Sequence, residues 1–199
     1  PPDKTEAATL TVIEQAEVLT NAWVVAPPEP PTTAEVVPFR RIAGDPAAPY
    51  ETSVPLYTLA AAAGTFGETQ SVEPDGWVEP TTTRRLREGM FVARVVGRSM
   101  EPDIPDGAHG LFSLYRGGTR HGKIVLAQHR DIADPETGGS YTVKLYQRDP
   151  PAGGAGSRVR LLPRNHEFAP IELTEAADDE VTVIAELVEV LPGSIAEDG

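Results

Sequence analysis

From residue 51 onward, short apolar runs alternate with turn-forming residues, and the runs have the length and β-branched character of strands rather than helices. Residues 54–59 open the series. Residues 91–96, Phe-Val-Ala-Arg-Val-Val between Gly89 and Gly97, read as a buried strand. Turn signals follow at Pro102, Pro105 and Asp106-Gly107, and further strands are predicted over 110–114, 123–128, 141–146, 159–162 and 181–190. The Asp-Pro-Glu-Thr-Gly-Gly stretch at 134–139 joins two of these runs, which predicts a hairpin with a long loop. A second Gly/Pro loop spans 150–157. Between the first two strands, Ala60 to Ala63 and Gly64 form a small-residue segment leading into a polar loop that ends at Trp77-Val78. The pattern predicts a mainly β domain over residues 51–192, with little helix.

The first fifty residues have another texture. Leu10, Ile13, Leu19 and Trp23 are partly helical in spacing, yet Thr-Leu-Thr-Val-Ile at 9–13 could equally be a strand, and the pattern leaves both open. Ala-Pro-Pro-Glu-Pro-Pro at 26–31 removes backbone donors and favours polyproline II, a stiff spacer. Residues 1–50 read as an acidic, proline-rich extension or linker, and 193–199 as a short acidic tail.

Composition narrows the partners. A chain of 199 residues allows one ordinary domain plus an extension, and its 20 prolines and 18 glycines fit short strands and turns. Net charge is -13 and no basic stripe is visible, which argues against direct nucleic-acid binding. No run approaches the roughly 20 apolar residues of a membrane-spanning helix, and no signal segment opens the sequence, so a cytoplasmic protein is expected. The absence of cysteine removes disulfides, thiolate metal sites and a cysteine nucleophile. The first residue is Pro1 rather than Met, as in a processed product or the tail of a longer polypeptide.

The candidate chemistry centres on Ser99, set where the 91–96 strand gives way to a turn. A hydroxyl there can project into a cleft beside free backbone N–H groups. None of the histidines, His109, His121, His129 and His166, lies in a recognisable triad motif. Lys144 is the other candidate base, and burial would have to lower its pKa from about 10.4 to about 7 for that role. Simpler readings stand beside these. Serine after Gly-Arg is an ordinary turn residue, and Lys144 between Val143 and Leu145 fits an amphipathic strand with its lysine in water.

Four ordered motifs resemble one family. Gly97-Arg-Ser99-Met100-Glu-Pro-Asp-Ile-Pro-Asp106-Gly107 resembles the nucleophile motif of the LexA, UmuD and lambda-type repressor peptidases. Gly122 to Ala127 resembles the strand before the base, and Tyr141-Thr-Val-Lys144-Leu the base motif. Leu162-Pro-Arg-Asn165-His-Glu-Phe168-Ala-Pro170-Ile171 resembles the family's Pro-x-Asn-x-x-Phe/Tyr-x-Pro-Ile signature. Together they span about 54–192.

The resemblance implies a LexA-like β-clip peptidase fold of short, twisted antiparallel strands, needing no cofactor and no metal. It implies a Ser99-Lys144 dyad, backbone N–H groups of Ser99 and Met100 as oxyanion donors, and self-cleavage at Ala63-Gly64, which lie 36 and 35 residues before Ser99. Asp106 and Gly107 match structural turn positions, while Ala108 stands where the family often has an acidic residue. It also implies a homodimer, with 181–190 as a possible contact, and a RecA filament as the trigger in an SOS-like or phage-defence response. A LexA repressor would carry a basic winged helix-turn-helix upstream, and residues 1–50 do not resemble one, so an appended or processed domain is expected. A catalytically silent interaction module is the alternative, and a leader-peptidase relative ranks below both.

Overall fold

The computed structural model describes residues 39–67, 73–134, 136–149, 158–174 and 181–193. The features expected at 6–25, 26–31 and 150–157, and the tail beyond Gly193, lie outside the described residues. Among the described residues, ten strands and one helix follow in order: β1 (Arg40–Ile42), β2 (Val54–Thr58), α1 (Leu59–Gly67), β3 (Gly76–Glu79), β4 (Met90–Arg94), β5 (His109–Leu114), β6 (Ile124–Gln128), β7 (Tyr141–Asp149), β8 (Arg158–Leu162), β9 (Ile171–Thr174) and β10 (Thr182–Val190). All ten strands join one sheet in the order β1-β3-β2-β4-β5-β10-β6-β7-β8-β9. The mainly β expectation holds.

Every pairing between these ten strands is antiparallel except one. β2 runs parallel to β4, with Leu56 opposite Val92 and Thr58 opposite Arg94. Both strands therefore release their chains at the same edge: β2 into α1, and β4 into the loop that carries Ser99.

The hydrophobic pattern explains why β4 sits inside. Its residues Met90, Phe91, Val92 and Ala93 are all buried, because a strand covered on both faces reads as a continuous apolar run. Phe91 and Ala93 join one cluster with Phe112, Leu126, Val143 and α1, whereas Met90 and Val92 join a second with Phe39, Val54 and Leu111. Phe91 lies opposite Phe112 in the ladder, and their rings stack at 5.5 Å. In β10 the pairing with β6 shifts between Val183 and Ala185. That bulge breaks the alternation, so Ile184 and Ala185 both enter the first cluster.

Three differences from the sequence expectation have local causes. The extension expected over 1–50 includes Phe39, which is buried, and β1, which pairs with β3. The segment at 60–64 is helical, since alanine is the best helix former and the Thr58 hydroxyl accepts the Ala61 N–H at 3.0 Å, an N-cap bond. β1, β3 and β9 are only three or four residues long, too short for a periodic signal. Among the described residues no helix is long and apolar enough to cross a membrane.

Candidate active site

The loop after β4 is tied down from several sides. Val95 N–H donates to Ala108 C=O at 2.8 Å, and Gly107 N–H donates back to Val95 C=O at 2.9 Å. Asp106 Oδ1 accepts the Gly97 N–H at 2.7 Å, which gives the Asp-Gly turn its structural part. Met100 and Ile104 are buried in the first apolar cluster and anchor the loop from beneath. A distant segment finishes the clamp. Arg164 and Asn165 N–H donate to Ser99 C=O at 2.9 and 3.0 Å, and Asn165 Nδ2 donates to Arg98 C=O at 3.1 Å. The asparagine of the 162–171 motif thus holds the serine's backbone.

Lys144 reaches the same point from β7. Its Nζ lies 2.9 Å from Ser99 Oγ, and both residues are 5% exposed. The strand-face reading with lysine in water is overturned, because the Ser99 loop covers that face. Thr142, two residues earlier and so on the same face, has its Oγ1 2.8 Å from Lys144 Nζ. Asp134 Oδ2 lies 3.4 Å from Nζ and also accepts the Thr142 hydroxyl. Its Oδ1 accepts the N–H groups of Glu136 and Thr137 at 2.9 and 3.1 Å.

The electrostatics pull in two directions. Burial lowers the Lys144 pKa from its ordinary value, while Asp134 and then Glu136 oppose that by favouring the ammonium. For Asp134, burial pushes upward. The Thr142 hydroxyl, the Lys144 charge and the two backbone N–H groups together outweigh it, leaving the carboxyl below its ordinary range. The set is a serine hydroxyl beside an amine whose proton is loosened by dehydration and partly retained by a carboxylate.

The other expected site residues are placed less simply. Ser99 N–H, expected as an oxyanion donor, points to Glu136 Oε2 at 3.3 Å. Ala63 and Gly64 lie within α1, and Ala63 is 2% exposed, so the peptide expected as the cleavage site is wound and packed. It shares the first apolar cluster with Met100 and Val143, the chain neighbours of Ser99 and Lys144. Asp134, Glu136 and Thr142 escaped the sequence reading. Thr142 had a signal in its two-residue offset from Lys144; the acids, read as a hairpin loop, had none. A cavity of about 500 Å³ opens nearby, lined by Thr58, Leu59, Ala60, His109, Glu136 and Tyr141 among others.

The profile of the Peptidase S24-like family matches residues 55–188, from β2 into β10. The chain belongs to that family. This S24-like chain is 31% identical over 160 residues to a LexA repressor of Mycobacterium tuberculosis, covering 79% of this chain and 58% of the relative. It is 30% identical over 161 residues to the LexA repressor of Mycobacterium marinum, covering 80% and 57%. The LexA repressor of Mycolicibacterium paratuberculosis is 31% identical over 156 residues, covering 77% and 57%. The S24-like chain therefore spans a little over half the length of these curated relatives.

Proposed function

We propose that the S24-like domain is a serine peptidase that cuts its own chain between Ala63 and Gly64. The observation that carries this reading is the 2.9 Å separation of Lys144 Nζ and Ser99 Oγ, in surroundings that lower the lysine's pKa. Neutral Lys144 takes the Ser99 proton as Oγ attacks the Ala63 carbonyl carbon. The tetrahedral intermediate places its oxyanion on the N–H groups of Ser99 and Met100. Collapse breaks the bond to Gly64 nitrogen, which receives the proton from Lys144, and water activated by Lys144 then hydrolyses the Ala63 ester.

A substrate in the same chain arrives at high effective molarity, so conformation rather than affinity sets the rate. The controlling step here is the unwinding of α1. Gly64 fits this reading. A Cβ at Gly64 would meet nothing within 4 Å, and alanine would favour the helix by about 1 kcal/mol, so packing in the wound state gives no reason for glycine.

In the cell we read the chain as a cytoplasmic, homodimeric switch in a DNA-damage or phage-defence response, with an activated RecA filament as trigger. The peptidase unit expected over 51–192 takes in 39–50 as well, through β1. The packing of Ala63 inside α1 favours a second reading, a silent module that binds a partner without cutting.

One experiment separates them. Incubation at about pH 9–10, with intact-mass measurement, is expected to yield fragments ending at Ala63 and beginning at Gly64. Ser99→Ala and Lys144→Ala should both abolish the cut. A wild type that stays whole, with and without RecA filament, would leave the silent module; an equally fast Ser99→Ala would remove Ser99 as nucleophile.

A further inference from the structure

We infer that Glu136 is a built-in stopper of the oxyanion site, its carboxylate seated on the Ser99 N–H, one of the two backbone donors that an attacked carbonyl would need. The inference rests on the reading of Ser99 as nucleophile. Glu136 Oε1 accepts the Arg98 N–H at 2.5 Å, and Oε2 accepts the Ser99 N–H at 3.3 Å. The carboxylate thus occupies the Ser99 N–H, a donor on which the tetrahedral intermediate would place its developing charge.

Three further observations make this a built contact. A Cβ on Gly97 would come within 2.4 Å of the Glu136 carboxyl carbon, so the glycine, at φ 103°, leaves the carboxylate its place. The Asp134 side chain that faces Lys144 also accepts the Glu136 N–H, so one aspartate holds both the lysine's surroundings and the stopper's turn. The Arg98 guanidinium turns to Glu101 at 3.2 Å and Glu167 at 3.9 Å, so it is the loop's backbone that answers Glu136. Glu136 also lines the cavity beside Thr58, Leu59 and Ala60, where the helix carrying Ala63-Gly64 begins. A carbonyl approaching Ser99 has to displace it.

The test compares wild type, Glu136→Ala and the nearly isosteric Glu136→Gln, which guards against a folding defect. The readouts are labelling of Ser99 by a fluorophosphonate and self-cleavage, each followed from about pH 7 to 10. Glu136→Ala is expected to raise the high-pH plateau on the order of tenfold, with Glu136→Gln in between. The plateau matters because Lys144 is already neutral there, and the charge at 136 no longer acts through it. Equal plateaus with Ser99-dependent labelling overturn the stopper and leave the nucleophile standing. A rise confined to lower pH, with unchanged plateau, also overturns it, since Glu136 would then act only on the lysine's proton. No labelling and no cleavage in any of the three proteins removes the Ser99 reading, and the stopper with it.

Discussion

The Asp134 carboxylate lies 3.4 Å from Lys144 Nζ, with the two side chains 4% and 6% exposed. A carboxylate there favours the ammonium, while a base has to be neutral. Asp134→Asn removes that charge and lets burial act alone, so the pH midpoint of self-cleavage is expected to move down. Cleavage at neutral pH then speeds up while the plateau stays near wild type. A pH-rate profile of the intact chain checks this, and a midpoint that stays or rises would show that Asp134 does not tune the base.

Stability should carry the same signature. The Lys144 pKa is lowered in the fold, so between its folded value and about 10.5 the unfolded chain binds more protons and stability rises with pH. The slope is at most about 1.4 kcal/mol per pH unit for one proton. Near pH 10 Tyr50 and Tyr57 oppose it, because their folded pKa values are raised and their contribution is lost as pH climbs. The Asp134 pKa is lowered, so its stabilisation is present above its ordinary value of about 3.8 and is lost as pH falls through the lower folded value. Urea unfolding in a Ser99→Ala background, which keeps the chain whole, is expected to show an alkaline rise that Lys144→Met abolishes.

If α1 unwinds before the cut, weakening it should speed cleavage. Thr58→Ala removes the N-cap, and Ala60→Gly lowers helix propensity at an exposed position, each by about 1 kcal/mol. Cleavage is expected to accelerate about fivefold in each variant, with the fold otherwise intact. Intact-mass time courses decide it. Unchanged rates would mean that unwinding lies off the path.

Much of the fold was legible because strands covered on both faces are apolar throughout. β4 and β6 announced themselves in this way, and Gly and Pro marked their ends. β1, with two arginines in three residues, is held by pairing to β3 rather than by its own pattern. The alanines of α1 carry no periodicity from which a helix could be read. In the site, the motifs around Ser99, Lys144 and Asn165 were visible, yet the burial of Lys144 was not. What covers it is the loop carrying Ser99, 45 residues away in sequence, and no local pattern encodes that contact. Asp134 and Glu136 belong to a hairpin loop whose composition spells only a turn.

The parallel pairing of β2 with β4 has a further consequence. A cut at Ala63-Gly64 would leave β1 and β2 on one fragment, and β3 and β4 on the other. Yet β1 is bonded to β3, and β2 is bonded on both sides, to β3 and to β4. Phe39, Val54 and Leu56 would also stay in a core shared with Val78, Val92 and Leu111. Scission would therefore make a nicked protein rather than two separate ones, visible in a denaturing gel and silent in gel filtration. Whatever the N-terminal piece carries would depart only when two strands peel from the sheet, so backbone hydrolysis and release become separate clocks.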